Sequence, residues 1–448
     1  MCDDSSIIFK LEVMTMSDTN TQKQDLANIL KLSAQNEIGN SEIARKVLRY
    51  IKSNGLMTSA YGKSYIQRLA QITTGTKPQE CTCLFCKKNR SVDGVLCNEC
   101  MTKYSGGKLR IKRPVTSKGT AGNAASTAAG TVQKFANKID TLAGGEGNAD
   151  LRVRDLFKDV FKHHSSDDAE KIFIVGTEST TPVMKDIKAE WPAPWLYSRV
   201  ALWLFVVFLI LEVSWDITAN PNLLPGMMFV GSCIVPFAVM VFFFETNVPQ
   251  NISIFKTVQV FFIGGCASLL STLILYMFVP IGHLSIIGAI LVGIVEELGK
   301  MLIVAWFINK MRDCVYILNG MLVGSAVGAG FAVFESAGYA FNILLDYGYS
   351  EMVSNINMRA LLSPGGHVAW AAVTGAAIMI ALDNKRFRWD VLKEGKFIRL
   401  FIIPIILHSI WDMPFSSIPI CIVLSVVIWI VLLVLIQNGL KEAGNTSY

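Results

Sequence analysis

A hydrocarbon core about 30 Å thick takes roughly 20 apolar residues to cross as a helix. The chain offers eight such runs after residue 194: 195–214, 226–244, 257–279, 284–309, 315–342, 366–382, 398–415 and 418–437. Continuous apolar blocks, rather than alternating ten-residue strands, exclude a closed barrel. The expected fold class is an all-α polytopic membrane protein of about eight transmembrane helices. Its membrane domain should span 195–440, behind a small N-terminal region that carries a zinc-ribbon-like knuckle. Composition agrees, because 52% of residues are hydrophobic and only 17% charged, where a soluble chain carries nearer a quarter charged.

Orientation follows from the loops. With the N-terminus inside, the inner loops hold Lys256, then Lys310 and Arg312, then Lys385, Arg386, Arg388, Lys393, Lys396 and Arg399. The outer loops hold only Arg359. Positive charge resists translocation, so both termini are expected in the cytoplasm. Met1 to Asn20 is polar and lacks the apolar core of a secretory signal, in keeping with that orientation. Outside the N-terminal region the basic residues cluster in such loops, as topology requires, so no nucleic-acid partner is expected.

Ahead of the spans, residues 22–75 carry apolar positions at helical spacing, such as Leu26, Ile29 and Leu30, then Ile43, Val47 and Ile51. Over 81–104 two CxxC knuckles follow, Cys83 with Cys86 and Cys97 with Cys100. Four thiolates so spaced suit a tetrahedral structural zinc ion, and a reducing cytoplasm disfavours the competing disulfide framework. Closed four-cysteine sites seldom do chemistry, so the knuckle reads as a scaffold or a dock for a protein partner. Residues 105–150 are rich in Gly, Ala, Ser and Thr and read as a flexible linker. Residues 151–194 read as a juxtamembrane segment with an amphipathic helix.

Ionisable side chains inside a span cost at least about 2.5 kcal/mol at the bilayer centre, so each needs a reason to be there. Here they gather in four spans. The fourth carries Glu296, Glu297 and Lys300, the fifth Glu335 and Tyr339, the sixth His367, and the seventh His408 and Asp412. Helical spacing puts Glu296 with Lys300, Glu335 with Tyr339, and His408 with Asp412 on shared faces. A rise of about 1.5 Å per residue brings the acids and imidazoles to overlapping depths in the outer half of the bilayer. Gly320, Gly324 and Gly328 form a ridge along the fifth span that lets another helix approach closely.

EELGK at 296–300, FESAGY at 334–339, HVAW at 367–370 and HSIWD at 408–412 resemble the PrsW family of intramembrane proteases, relatives of the CAAX prenyl endopeptidases. The resemblance extends over roughly residues 195–437 and leaves the knuckle and linker unexplained. It implies hydrolysis of a peptide bond in a single-pass membrane protein, such as an anti-sigma factor, within or beside the lipid bilayer. It also implies that Glu296 and Glu297 are the catalytic carboxylates, completed by Glu335, His367 and His408, with Lys300, Tyr339 and Asp412 in support. Two histidines and a glutamate could hold zinc with an open position for water. No HExxH helix is present, however, so a metal-free glutamate mechanism is the expectation. Buried Glu, Lys, His and Asp also mark transporters and proton relays. Such proteins commonly show paired repeats with broken helices, and no matching motif pair is found here.

Overall fold

The chain divides into two units, Met1–Ala121 and Gly122–Tyr448. The structure, a computed structural model, describes residues 120–183, 187, 189–279, 281, 285–383 and 385–445. The helical segment 22–75 and the knuckle cysteines Cys83, Cys86, Cys97 and Cys100 lie outside them.

The described residues contain helices and no strands. In chain order the principal helices begin with α1 (Thr120–Leu142), α2 (Ser166–Phe173), α3 (Leu196–Thr218), α4 (Leu224–Thr246) and α5 (Ile254–Phe278). They continue with α6 (Ile286–Lys310), α7 (Ile317–Tyr347), α8 (Tyr349–Leu362), α9 (His367–Leu382), α10 (Gly395–Trp411) and α11 (Ile418–Asn445). Six stretches among them are long and apolar enough to cross a membrane, which makes this a multi-pass integral membrane protein. The two remaining expected spans are present as helices but fall short of that standard for physical reasons. Helix α6 carries Glu296, Glu297 and Lys300 within its apolar run, and α10 has only 17 residues.

Two segments differ from expectation. Residues 120–142, read as part of a flexible linker, form α1. The alanines that suggested a featureless tether are the best helix formers, and Ala136 and Ile139 are buried in the main core. The following turn is pinned to α11, where Gln437 accepts from the Asp150 amide at 2.8 Å and donates to the Asn148 carbonyl at 3.3 Å. The second segment is the outer loop holding Arg359, which is helix α8. Its Met352 and Ile356, four apart, are buried against Phe208, Met227 and Ile234 of α3 and α4. Gly348, at φ 96°, makes the sharp break from α7 that only glycine adopts readily.

The glycine ridge of α7 meets α9. A Cβ on Gly320, Gly324 or Gly328 would collide with the carbonyl oxygens of Gly375, Ala371 and His367 respectively. Backbone therefore touches backbone along the seam, and α7 and α9 are fixed in register. The start of α3 is held from α4, where the Glu245 carboxylate accepts from the amides of Trp195, Leu196 and Tyr197, each at 2.9 Å. A carboxylate at a helix N-terminus satisfies donors that have no partner within the helix.

Candidate active site

Helix α6 delivers three charges to the interior because Glu296, Glu297 and Lys300 occupy successive positions of one turn. Lys300 Nζ lies 2.6 Å from Glu297 Oε1 and 3.8 Å from Glu296 Oε2, with the side chains of Lys300 and Glu297 fully buried. Such a pair is costly to bury unless further hydrogen bonds satisfy it. Two histidines supply them. His408 Nδ1, from α10, lies 2.8 Å from the same Glu297 oxygen. His367 Nδ1, at the start of α9, lies 2.8 Å from Lys300 Nζ.

These contacts set the tautomers. The Glu297 carboxylate accepts, so His408 Nδ1 carries a proton and Nε2 is the atom turned elsewhere. Nε2 faces Asp412 Oδ2 at 3.3 Å and Glu296 Oε2 at 3.6 Å. The Lys300 ammonium donates, so His367 Nδ1 accepts and Nε2–H points to Glu335 Oε2 at 3.0 Å. That oxygen also accepts from Arg359 of α8 at 2.5 Å. Arg359 donates in addition to Ser336 Oγ at 2.8 Å and lies 4.6 Å from the centre of the Tyr339 ring. Tyr276 of α5 donates its hydroxyl to Glu296 Oε1 at 3.1 Å.

The helices enclose a cavity of about 400 Å³ lined by Glu296, Glu335, His367, His408 and Asp412, with Tyr276, Tyr339, Arg359, Trp370 and Trp411 among its walls. Glu297 is not part of that lining and reaches the cavity through His408. Trp370, 1% exposed, stacks on the His408 ring at 4.4 Å. A tryptophan at a span end could have been an interface anchor, but this one is a wall of the site.

All eight side chains singled out within the spans converge here. The five acids and imidazoles, with Lys300, form one connected network, Asp412 joins it through His408, and Tyr339 stands at the rim beneath Arg359. Two contributors escaped the sequence reading. Tyr276 resembles any tyrosine near the end of a span, and Arg359 counted only as a loop charge. Their signals are lodged in partner helices.

Two carboxylate oxygens of the cluster, Glu296 Oε2 and Glu297 Oε2, are buried with no hydrogen-bond partner among the described residues, and of the two residues only Glu296 lines the cavity. Ligand atoms of Glu296, His367 and His408 all lie within 4.8 Å of one another. Two imidazoles and a carboxylate are a donor set used for catalytic zinc, and the Glu297–His408 contact is the kind of outer contact that orients a metal-bound histidine. Glu296 and His408 Nε2 have lone pairs free for a divalent ion, and His367 would join them by turning one nitrogen from Lys300 or Glu335.

The fold and this site define a polytopic membrane protein with a cluster of carboxylates, imidazoles and a lysine buried among its helices. Residues 253–436 match the family model of the PrsW family intramembrane metalloprotease. The similarity to that family covers residues 253–436 of the 448 in the chain, the stretch that carries the whole site. The match opens just before α5, so α3 and α4 lie outside it, although the motif resemblance had been drawn from residue 195. Neither the curated proteins nor the solved structures contain a match to this chain.

Proposed function

We propose that the chain is an intramembrane endopeptidase that cleaves a single-pass membrane protein in the outer half of the bilayer, with Glu296 as the base that activates water. The observation carrying this reading is the unpartnered Glu296 oxygen, buried in a cavity and faced by His408. Tyr276 holds the other oxygen and so aims the carboxylate. Water placed between Glu296 and the histidines loses its proton to Glu296 as it attacks the scissile carbonyl. Glu296 then passes that proton to His408 Nε2, which Glu297 orients through Nδ1, and His408 delivers it to the leaving amine as the C–N bond breaks. Glu335 and Arg359 fix the opposite edge of His367. Trp370 and Trp411 keep bulk water from this chemistry. Eight spans with both termini cytoplasmic complete the reading, on the asymmetry of the loop charges.

Charge balance admits a metal-dependent version as well. Glu296, Glu297, Glu335 and Asp412 face only Lys300 and Arg359 as permanent cations, so two negative charges remain when both histidines are neutral. A low-dielectric site does not hold such an excess uncompensated. Two further protons or one divalent ion would balance it. Glu296, His367 and His408 would hold that ion, which would polarise the carbonyl and acidify bound water.

Reconstituted cleavage of a single-pass substrate tests the function, with Glu296→Gln and His408→Ala beside the wild type. Unchanged turnover in both variants would remove the assignment. Proton or ion flux without any peptide product would point to a transporter instead. Chelation separates the two mechanisms, provided that the proposed knuckle zinc is discounted. A Cys83→Ser/Cys86→Ser background does this. Loss of turnover there on chelation, with restoration by added zinc, selects the metal-dependent version, and full activity under chelation selects the metal-free one.

A further inference from the structure

The opposite end of the α7–α9 seam holds a second cavity. Its volume is about 470 Å³, and its walls come from the end of α6, the residues entering α7, the end of α9 and the following loop. Three cations line it, Arg312, Lys385 and Arg386, beside apolar surface from Ile308, Met379 and Phe387.

Several basic residues at this end have partners. Lys256 pairs with Asp313 at 2.5 Å, Lys396 with Asp383 at 3.8 Å, and Arg388 with Asp390 and Glu394. Lys310 lies over the Trp306 ring. Arg312, Lys385 and Arg386 make no ion pair among the described residues, and they share one cavity. Burial pushes the Cys314 thiol far above its ordinary range, so this lining residue adds no negative charge. Topological charge alone accounts for cations anywhere in these loops. It does not by itself set three unpaired ones around a single hollow with an apolar wall, while Lys393 and Arg399, also without an ion pair among the described residues, stand outside it.

We propose that this cavity binds a phosphate-bearing anion, either the headgroup of an anionic lipid or a soluble phosphate. Guanidinium groups bind phosphate oxygens in paired hydrogen bonds, lysine adds a point charge, and the apolar wall suits an acyl chain. Charges next to the ends of α6 and α9 also offset the helix dipoles there, which keeps the cations stable before a ligand arrives. The site is independent of peptide hydrolysis and stands or falls apart from it.

Native mass spectrometry of the full-length protein in detergent tests this, with phosphatidylglycerol, phosphatidylcholine and inorganic phosphate as probes. The wild type should retain phosphatidylglycerol over phosphatidylcholine. The triple variant Arg312→Gln/Lys385→Gln/Arg386→Gln should lose that preference, by roughly fivefold per cation removed. Lys393→Gln, which alters a cation outside the cavity, should keep it. If the triple variant melts at a lower temperature, the three single variants replace it, each expected to lose about fivefold. Displacement of the lipid by millimolar phosphate assigns a soluble ligand, and its retention assigns a lipid. Equal retention of both lipids without phosphate binding, or variants indistinguishable from wild type, would overturn the proposal.

Discussion

The two cavities at either end of the α7–α9 seam treat charge in opposite ways. Around Glu296 every cation has an anionic or imidazole partner from another helix, and the network leaves an excess of negative charge. Around Arg312 the cations have no such partner, and the excess is positive. The first end lies among apolar helices, where an unpaired charge is costly and must be neutralised by construction. The second is formed by helix ends and a loop, with Arg312, Lys385 and Arg386 exposed. Water there lets charge stay unpaired until a ligand arrives. Paired charge gives a fixed, preorganised cluster, and unpaired charge leaves cations whose fields are open to the cavity.

The sharpest way to break this contrast is Glu296→Gln, which keeps the shape of the site and removes the base. Turnover should fall by about 10³-fold in the cleavage assay, with no change in lipid retention at the other cavity. Next is the seam between the two ends. Gly324→Leu drives a side chain into the Ala371 carbonyl and should cost about 1–3 kcal/mol of stability. Thermal melting would show it, and both cavities should lose function together, whereas a melting curve like that of wild type would mean the seam is slack. Arg359→Gln is a smaller perturbation. It leaves Glu335 Oε2 with His367 as its remaining donor and does not alter Glu296 or His408, so kcat should fall roughly tenfold with melting nearly intact. Arg359→Lys should recover part of that loss by restoring the charge alone, and an unaltered kcat in Arg359→Gln would remove its positioning role. Smallest of all, the triple Gln variant at Arg312, Lys385 and Arg386 should leave basal peptide cleavage within about twofold of wild type, if the two ends act separately.

The boundaries of the membrane helices were legible because hydropathy is a local property. The expected span 366–382 is α9 at His367–Leu382, and 284–309 is α6 at Ile286–Lys310. Hydropathy could not say which helices face lipid. The most apolar windows of α3 and α7 both qualify as spans, yet 11% of the first is buried and 94% of the second. An apolar side chain is equally content against lipid or protein. Segments without a span-length run misled in the other direction. Residues 120–142 and 349–362 owe their order to Ala136, Ile139, Met352 and Ile356 docking onto distant helices.

The candidate site divides along the same line. Charge inside an apolar run is conspicuous in one dimension, so Glu296, Glu297, Lys300, Glu335, His367 and His408 announced themselves along the chain. Which oxygen of Glu296 is left without a donor, which nitrogen of His408 is turned toward it, and that Tyr276 and Arg359 belong to the same cluster are facts of helix packing. Those contacts join residues from 20 to 112 positions apart. No local pattern specifies them, because the energy that selects them exists only once the helices have met.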